Sequence, residues 1–252
     1  MSTIFDIYNF IDGIAPFDTA MDFDNVGILV RCQDKVDKVV VSLDITPSAI
    51  EMAKKIGAQL IISHHPVIFK SLRSIDYSNV NYMLIKENIS AICAHTNLDM
   101  AVKGVNYNLA SCLNLKLIKP ISFYKGTPCA LIGETDREYS QDEFITFVKK
   151  VLNCKGVRFV RGKENIKTVA LCSGAGGEFL FDAIGVNADA FITGEIKHHE
   201  ILAAEQHRIN LIEAGHFNTE NIVIEPLTNM LKREFNDVKF LAYAGNDCVE
   251  YM

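Results

Sequence analysis

Four short stretches of this chain bring together side chains of the kind that hold divalent metals. They are Ser63-His64-His65-Pro66, His95-Thr96-Asn97-Leu98-Asp99, Gly194-Glu195 followed by His198 and His199, and Gly215-His216 through Glu220. Imidazole and carboxylate donors in combination suit Mn, Fe, Co, Ni or Zn. His64, His65, Asp99, His216 and Glu220 supply five protein ligands, more than one structural zinc needs. Such a set suits two divalent ions with a bridging water and open coordination positions. Either carboxylate, Asp99 or Glu220, could bridge the pair. The adjacent imidazoles of His64 and His65 can ligate two ions or flank one, in a turn stiffened by Pro66. His216 and Glu220 stand four apart and share a face if a helix begins there. Asp99 has a rival role, capping a helix that starts near Met100, as does Asn97. His95 reads either as a ligand or as a residue that touches a ligand or the substrate. His198 and His199 open an expected helix running to about His207. They face solvent, or one of them, His199 above all, reaches the reacting water or the substrate.

Each stretch follows an apolar run of strand length. Lys38 to Leu43 (K-V-V-V-S-L) is a β-branched run, as expected of a strand buried on both faces. Thr46-Pro47 offers an N-cap followed by a first-turn proline. Ser48 to Ile56 carries the helix, and Gly57 ends it. Ala58 to Ile62 is the next strand and runs into Ser63-His64-His65. A second copy of this pattern follows. Val169 to Cys172 matches Val39 to Ser42, and Ala188 to Thr193 matches Ala58 to Ser63 at the same offset, without a gap. Gly194-Glu195 thereby stands opposite His64-His65. At a shorter offset, Ala91 to Ala94 with His95 to Asp99 matches Leu211 to Ala214 with His216 to Glu220; both tails read H-x-N-x-[DE]. Two ordered matches, each at a strand end, indicate an internal duplication.

Ligands of open α/β sheets collect outside the carboxyl ends of the parallel strands, where all these residues fall. The expected fold is therefore α/β, with two interlinked, pseudo-repeated three-layer halves and the metal site between them. Gly126-Thr127-Pro128 marks a boundary. This places the first half at 1–122 and the second at 123–215. The tail 216–252, with a helix over Pro226 to Phe235 and a strand over Val238 to Ala244, packs back on the first half. Ile4, Ile7, Tyr8, Ile11 and Ile14 recur at helical spacing and predict an amphipathic helix stopped before Pro16. A further helix is expected near Gln141 to Leu152. Ser173-Gly174-Ala175-Gly176-Gly177 is either a tight turn that needs glycine or a cradle for an anion at a helix N-terminus.

The chain has 252 residues, 49% of them hydrophobic and 22% charged, with a net charge of −6. That length suffices for two small interlocked domains. An acidic surface gains nothing from phosphate counterion release, which disfavours nucleic acid as a partner. The seven cysteines are scattered and contain no C-x-x-C pair. They fit reduced, buried thiols of a cytoplasmic protein rather than a disulfide framework. No apolar run reaches the roughly 20 residues of a membrane span, and Met1 to Pro16 lacks the basic start of a signal peptide.

Asp24-Asn25-Val26-Gly27, Ser63-His64-His65-Pro66, His95 to Asp99, Thr193-Gly194-Glu195 with His198-His199, and Gly215-His216 through Glu220 occur in this order. In this combination the chain resembles the GTP cyclohydrolase I type 2 homologue family, also called the NIF-three-like family. The likeness covers essentially the whole chain, in the short form without a middle insert domain. The resemblance implies a dinuclear metal centre at the positions of His64, His65, Asp99, His216 and Glu220. It implies a ring-shaped homohexamer, built as a trimer of dimers. It also implies hydrolytic opening of the GTP imidazole ring by metal-bound hydroxide. The function expected is a metal-dependent hydrolase of a nucleotide or related phosphorylated heterocycle. His95, Glu195 and His199 are the candidates for proton transfer, and the 174–177 turn for holding phosphate. The alternative is a non-enzymatic metal-binding protein, an iron handler or an adaptor, favoured by the lack of any strong nucleotide fingerprint.

Overall fold

Thr3 opens the first helix with a capping box: its hydroxyl accepts from the Asp6 amide while the Asp6 carboxylate accepts from the Thr3 amide. Two orphan donors are satisfied at once. The helix, α1 (Ile4–Ile14), buries Ile4, Ile7 and Ile11 completely, the stripe that the 3.6-residue period predicts. The structure, a computed structural model, describes residues 1–250. After α1 come β1 (Gly27–Val30), β2 (Lys38–Ser42), α2 (Pro47–Ile56), β3 (Leu60–Ser63), α3 (Val80–Lys86), β4 (Ser90–Cys93) and α4 (Thr96–Met100). Then α5 (Val105–Cys112) leads to β5 (Lys116–Tyr124), β6 (Thr127–Ser140), α6 (Gln141–Val151), β7 (Arg158–Val160) and β8 (Asn165–Leu171). The chain continues through α7 (Leu180–Gly185), β9 (Ala190–Thr193), α8 (His198–His207), β10 (Asn210–Glu213) and α9 (His216–Glu220), then α10 (Ile224–Glu234) and β11 (Lys239–Tyr243).

Met1–Leu98 and Val223–Asn246 form one compact unit; Asp99–Ile222 and the described residues from Asp247 form another. The sheet of the first runs β1-β4-β3-β2-β11, and that of the second β5-β6-β8-β9-β10-β7. The fold is α/β with a repeated half, as the sequence indicates. In the first unit β2, β3 and β4 are parallel neighbours; in the second β8, β9 and β10 are. The duplication also reaches elements without visible sequence likeness. β1 lies antiparallel on β4 as β7 does on β10. α1 and α6 both begin with a capping box and both have 11 residues. Asn97 donates to the carbonyl of Ala15, the C-cap of α1, and Asn218 to that of Leu152, the C-cap of α6.

The unit boundary differs from the sequence expectation of 122/123, because residues 99–122 belong to the second unit. Leu109, Ala110 and Leu113 of α5 sit in one apolar cluster with Leu131, Val169 and Leu171, and β5 pairs antiparallel with β6. Gly126 therefore marks a hairpin rather than a domain edge. Lys125 and Gly126 both have positive φ, 47° and 84°, the signature of a two-residue turn that matches strand twist. Conversely, β11 extends the first sheet by parallel pairing with β2, and Leu227 and Leu231 of α10 are buried. In the second sheet, alternate residues of β8 and β9 enter clusters on opposite faces. Val169, Leu171 and Ile192 lie on one, Ala170 and Phe191 on the other, as parallel strands covered on both sides require.

Ser140 opens α6 by donating both its amide and its hydroxyl to Glu143 Oε2. Ser140→Ala is expected to cost about 1 kcal/mol, read as a lower urea midpoint with an unchanged slope. Among the described residues no helix is long and apolar enough to cross a membrane. No disulfide joins the cysteines of that region, and Cys93, Cys129, Cys154 and Cys172 are buried. Burial first, and then the nearby Asp99, Cys129 and Glu220, push the Cys172 thiol well above its usual value, so it stays a neutral thiol.

Candidate metal centre

In the first unit, Ser63 at the end of β3 is the register partner of Cys93 at the end of β4. His64-His65 and His95 therefore emerge side by side from neighbouring parallel strands. Their ligating atoms all lie within 4.8 Å of one another. Each ring is held through Nδ1: His64 by the Ala94 carbonyl at 3.0 Å, His65 by Asp44 Oδ1 at 2.7 Å and His95 by Asp24 Oδ1 at 2.8 Å. A carbonyl or a carboxylate only accepts, so Nδ1 carries the proton and Nε2 the lone pair that a metal takes. The Ser63 hydroxyl donates to the His65 carbonyl and the Cys93 thiol to the His64 carbonyl, which holds the turn.

Asp24 is fully buried at its side chain. It accepts from His95 Nδ1, from the Thr96 amide at 3.0 Å and from the Thr96 hydroxyl. Burial alone would raise its pKa; the hydrogen bonds from His95 and Thr96 and the attraction of His95 outweigh that and lower it to about 2. A depressed carboxyl stabilises the fold above its unfolded pKa and loses that contribution as pH falls toward its folded value. Asp24→Asn is therefore expected to cost about 2 kcal/mol at pH 7, with the difference from wild type shrinking as pH falls below the unfolded value and vanishing only below the folded one, about 2, in parallel urea titrations.

In the second unit, Gly215 with φ of +92° turns the chain out of β10 into α9. His216 and Glu220 lie one turn apart on it, with Nε2 3.0 Å from Oε2. His216 Nδ1 reaches Glu195 Oε1 at 2.6 Å. Glu220 is 3% exposed, and its carboxylate lies within 4.8 Å of that of Asp99. Two carboxylates held this close, one of them buried, repel unless a proton or cation lies with them. Asp99 stands inside α4, so it is not the cap of a helix that starts at Met100. Ser173 Oγ, 3.5 Å from Asp99 Oδ1, also donates to Asn106.

Gly174 sits beneath this group with φ of +58°, and a Cβ there would run into Glu220 Oε1. Its amide donates to Thr219 Oγ1, and its carbonyl accepts from Gly194 N and Glu195 N, each at 2.9 Å. The 174–177 segment is thus a tight turn rather than an anion cradle. The carboxylates of Glu220 and Glu200 line it at Gly174 and Gly177 and would repel a phosphate.

The structure places Glu195 as the partner that orients His216, and His95 among the imidazoles. His198 and His199 open α8 as expected but stay exposed. His199 lies 3.8 Å from Glu200 and enters none of the donor clusters among the described residues. Sequence reasoning gave no role to Asp24 and passed over Asp44. Both stand at the strand ends where ligands gather: Asp44 follows β2, and Asp24 precedes β1, whose start pairs with the end of β4.

The two repeated α/β units set histidine and carboxylate donors at their strand ends, in groups that could hold metal ions. The family model for Duf34/NIF3 (NGG1p interacting factor 3) matches residues 2–247. The chain belongs to this family. It is 33% identical over 248 residues to the GTP cyclohydrolase 1 type 2 homolog of Clostridium perfringens, covering 94% of each chain. It is 34% identical over 233 residues to that of Campylobacter jejuni, covering 90% of this chain and 91% of the relative. The alignment with a Staphylococcus aureus relative runs to 347 positions at 27% identity, longer than this chain, so that relative carries an insertion that the short form lacks. Among solved structures, the Staphylococcus aureus hypothetical protein SA1388 superposes with a TM-score of 0.91 at 30% identity, covering 99% of each chain.

Proposed function

We propose that this protein is a metal-dependent hydrolase of a nucleotide or a related phosphorylated heterocycle, with two divalent ions held by His64, His65, Asp99, His216 and Glu220. The observation that carries this reading is the state of the donors. Each ligand imidazole is locked through Nδ1 by a carboxylate or carbonyl, and the Asp99 and Glu220 carboxylates crowd each other, an arrangement that a cation relieves. The name shared by the relatives, GTP cyclohydrolase 1 type 2 homolog, points to a guanine nucleotide as the first substrate to try.

Ions bound there supply Lewis acidity and ionised water at neutral pH. The chain's own residues do the rest. Asp44, Glu195 and the Ala94 carbonyl hold the ligand rings in orientation. His95, its Nδ1–H bound by Asp24, offers Nε2 to take a proton from the attacking water and return it to the ring nitrogen that leaves. One water is consumed as a carbon–nitrogen bond of the imidazole ring opens. A homohexamer is the assembly the family likeness suggests, and light scattering on the purified chain reads it directly. The function is tested by stripping metal with a chelator, restoring single ions, and screening nucleotides for ring opening. Activity should vanish and return with metal. Turnover surviving in fully stripped protein would sink the reading.

A further inference from the structure

Two largely exposed phenylalanines stand beside the imidazole cluster of the first unit. Phe23 is 61% exposed and Phe69 is 44% exposed, yet they are set against each other edge to face, with ring centroids 6.2 Å apart. Phe69 in turn stands 6.3 Å from the His95 ring, nearly perpendicular to it. Both rings sit on pinned loops. Phe23 directly precedes Asp24, which is bound to His95 and Thr96, and Met21 N is held by Thr96 Oγ1. Phe69 directly follows Ile68, whose carbonyl accepts from Asn25 Nδ2. Val67 and Ile68 pack against the core of the unit. Two apolar rings are thus presented to solvent in set positions, next to the imidazole that the mechanism needs.

We propose that Phe23 and Phe69 form the stacking wall for the heteroaromatic ring of the substrate, holding its flat face so that the ring edge meets His95. This rests on the hydrolase reading and adds the residues that select the planar ring of such a substrate by its π-face. Phenyl rings offer no hydrogen bonds, so they select flat heterocycles over sugars and chains without distinguishing one base from another.

The test uses full-length, metal-loaded protein and calorimetric titration with guanosine 5′-monophosphate and ribose 5-phosphate. The ring-bearing probe should bind roughly tenfold tighter or better. Phe23→Leu and Phe69→Leu keep apolar bulk but lose the flat face. They should bring the two probes to near parity while ribose 5-phosphate affinity and metal content stay at wild-type values; Phe69→Tyr should retain the preference. A full preference in both Leu variants, or equal or no binding of the two probes by wild type, would overturn the wall. Metal-dependent hydrolysis with the preference intact in both Leu variants overturns the wall and leaves the hydrolase standing. A ring preference that depends on the phenylalanines, without hydrolysis of any nucleotide, supports the wall and removes the hydrolase.

Discussion

Glu220→Gln is expected to abolish metal retention and hydrolysis together while leaving the fold intact. Glutamine matches glutamate in shape, so the contacts with Gly174 and His216 keep their geometry. What disappears is the negative charge. Loss of a residue that only orients a ligand lowers metal affinity about 10–100-fold, and loss of a ligand's charge should exceed that. The stability readout separates this from simple damage. In metal-free protein the variant removes the repulsion between the Glu220 and Asp99 carboxylates, so its melting temperature should equal or exceed that of stripped wild type. Added metal should raise the wild-type melting temperature, as any ligand of the native state does, and leave the variant's unchanged. A variant that still gains stability from metal would show that Glu220 is not a ligand.

Gly174→Ala is the second large effect. The residue has φ of +58° and a new Cβ would collide with Glu220 Oε1. A left-handed alanine costs about 1–2 kcal/mol by itself, and the collision must be relieved by moving the carboxylate. Metal affinity should fall by at least about tenfold, with a loss of stability of about 2 kcal/mol or more. Gly185→Ala is the control: nothing lies within 4 Å of its added Cβ, and it should leave stability the same or slightly raised. Equal metal affinity in Gly174→Ala and wild type would mean that the turn does not support the carboxylate.

Much of this architecture is legible in the chain because the signals are local. The β-branched run at Val39 to Val41 becomes an inner strand with all three valines buried, and Thr46-Pro47 with Gly57 frames α2 as its cap and left-handed end. The H-x-N-x-[DE] tails reveal the duplication since Asn97 and Asn218 perform the same job at two helix ends. The capping boxes of α1 and α6 would have extended the match, but a Ser/Thr three residues before an acid is too common to stand out. Asp24 and Asp44 escape for a different reason. Their partners are 71 and 21 residues away, and only the sheet brings them together. Gly126 misleads because a Gly-Thr-Pro step punctuates a hairpin and a domain edge alike. The pairing of β5 with β6 on either side of it is long-range information.

The central claim is that five side chains hold two divalent ions in each chain. The most direct measurement is an anomalous difference map from crystals grown with zinc or manganese. Two peaks per chain are expected, within about 2.0–2.3 Å of the Nε2 atoms of His64, His65 and His216 and of carboxylate oxygens of Asp99 and Glu220. A single peak, or strong peaks bound by other residues while these five stay without metal, would contradict it.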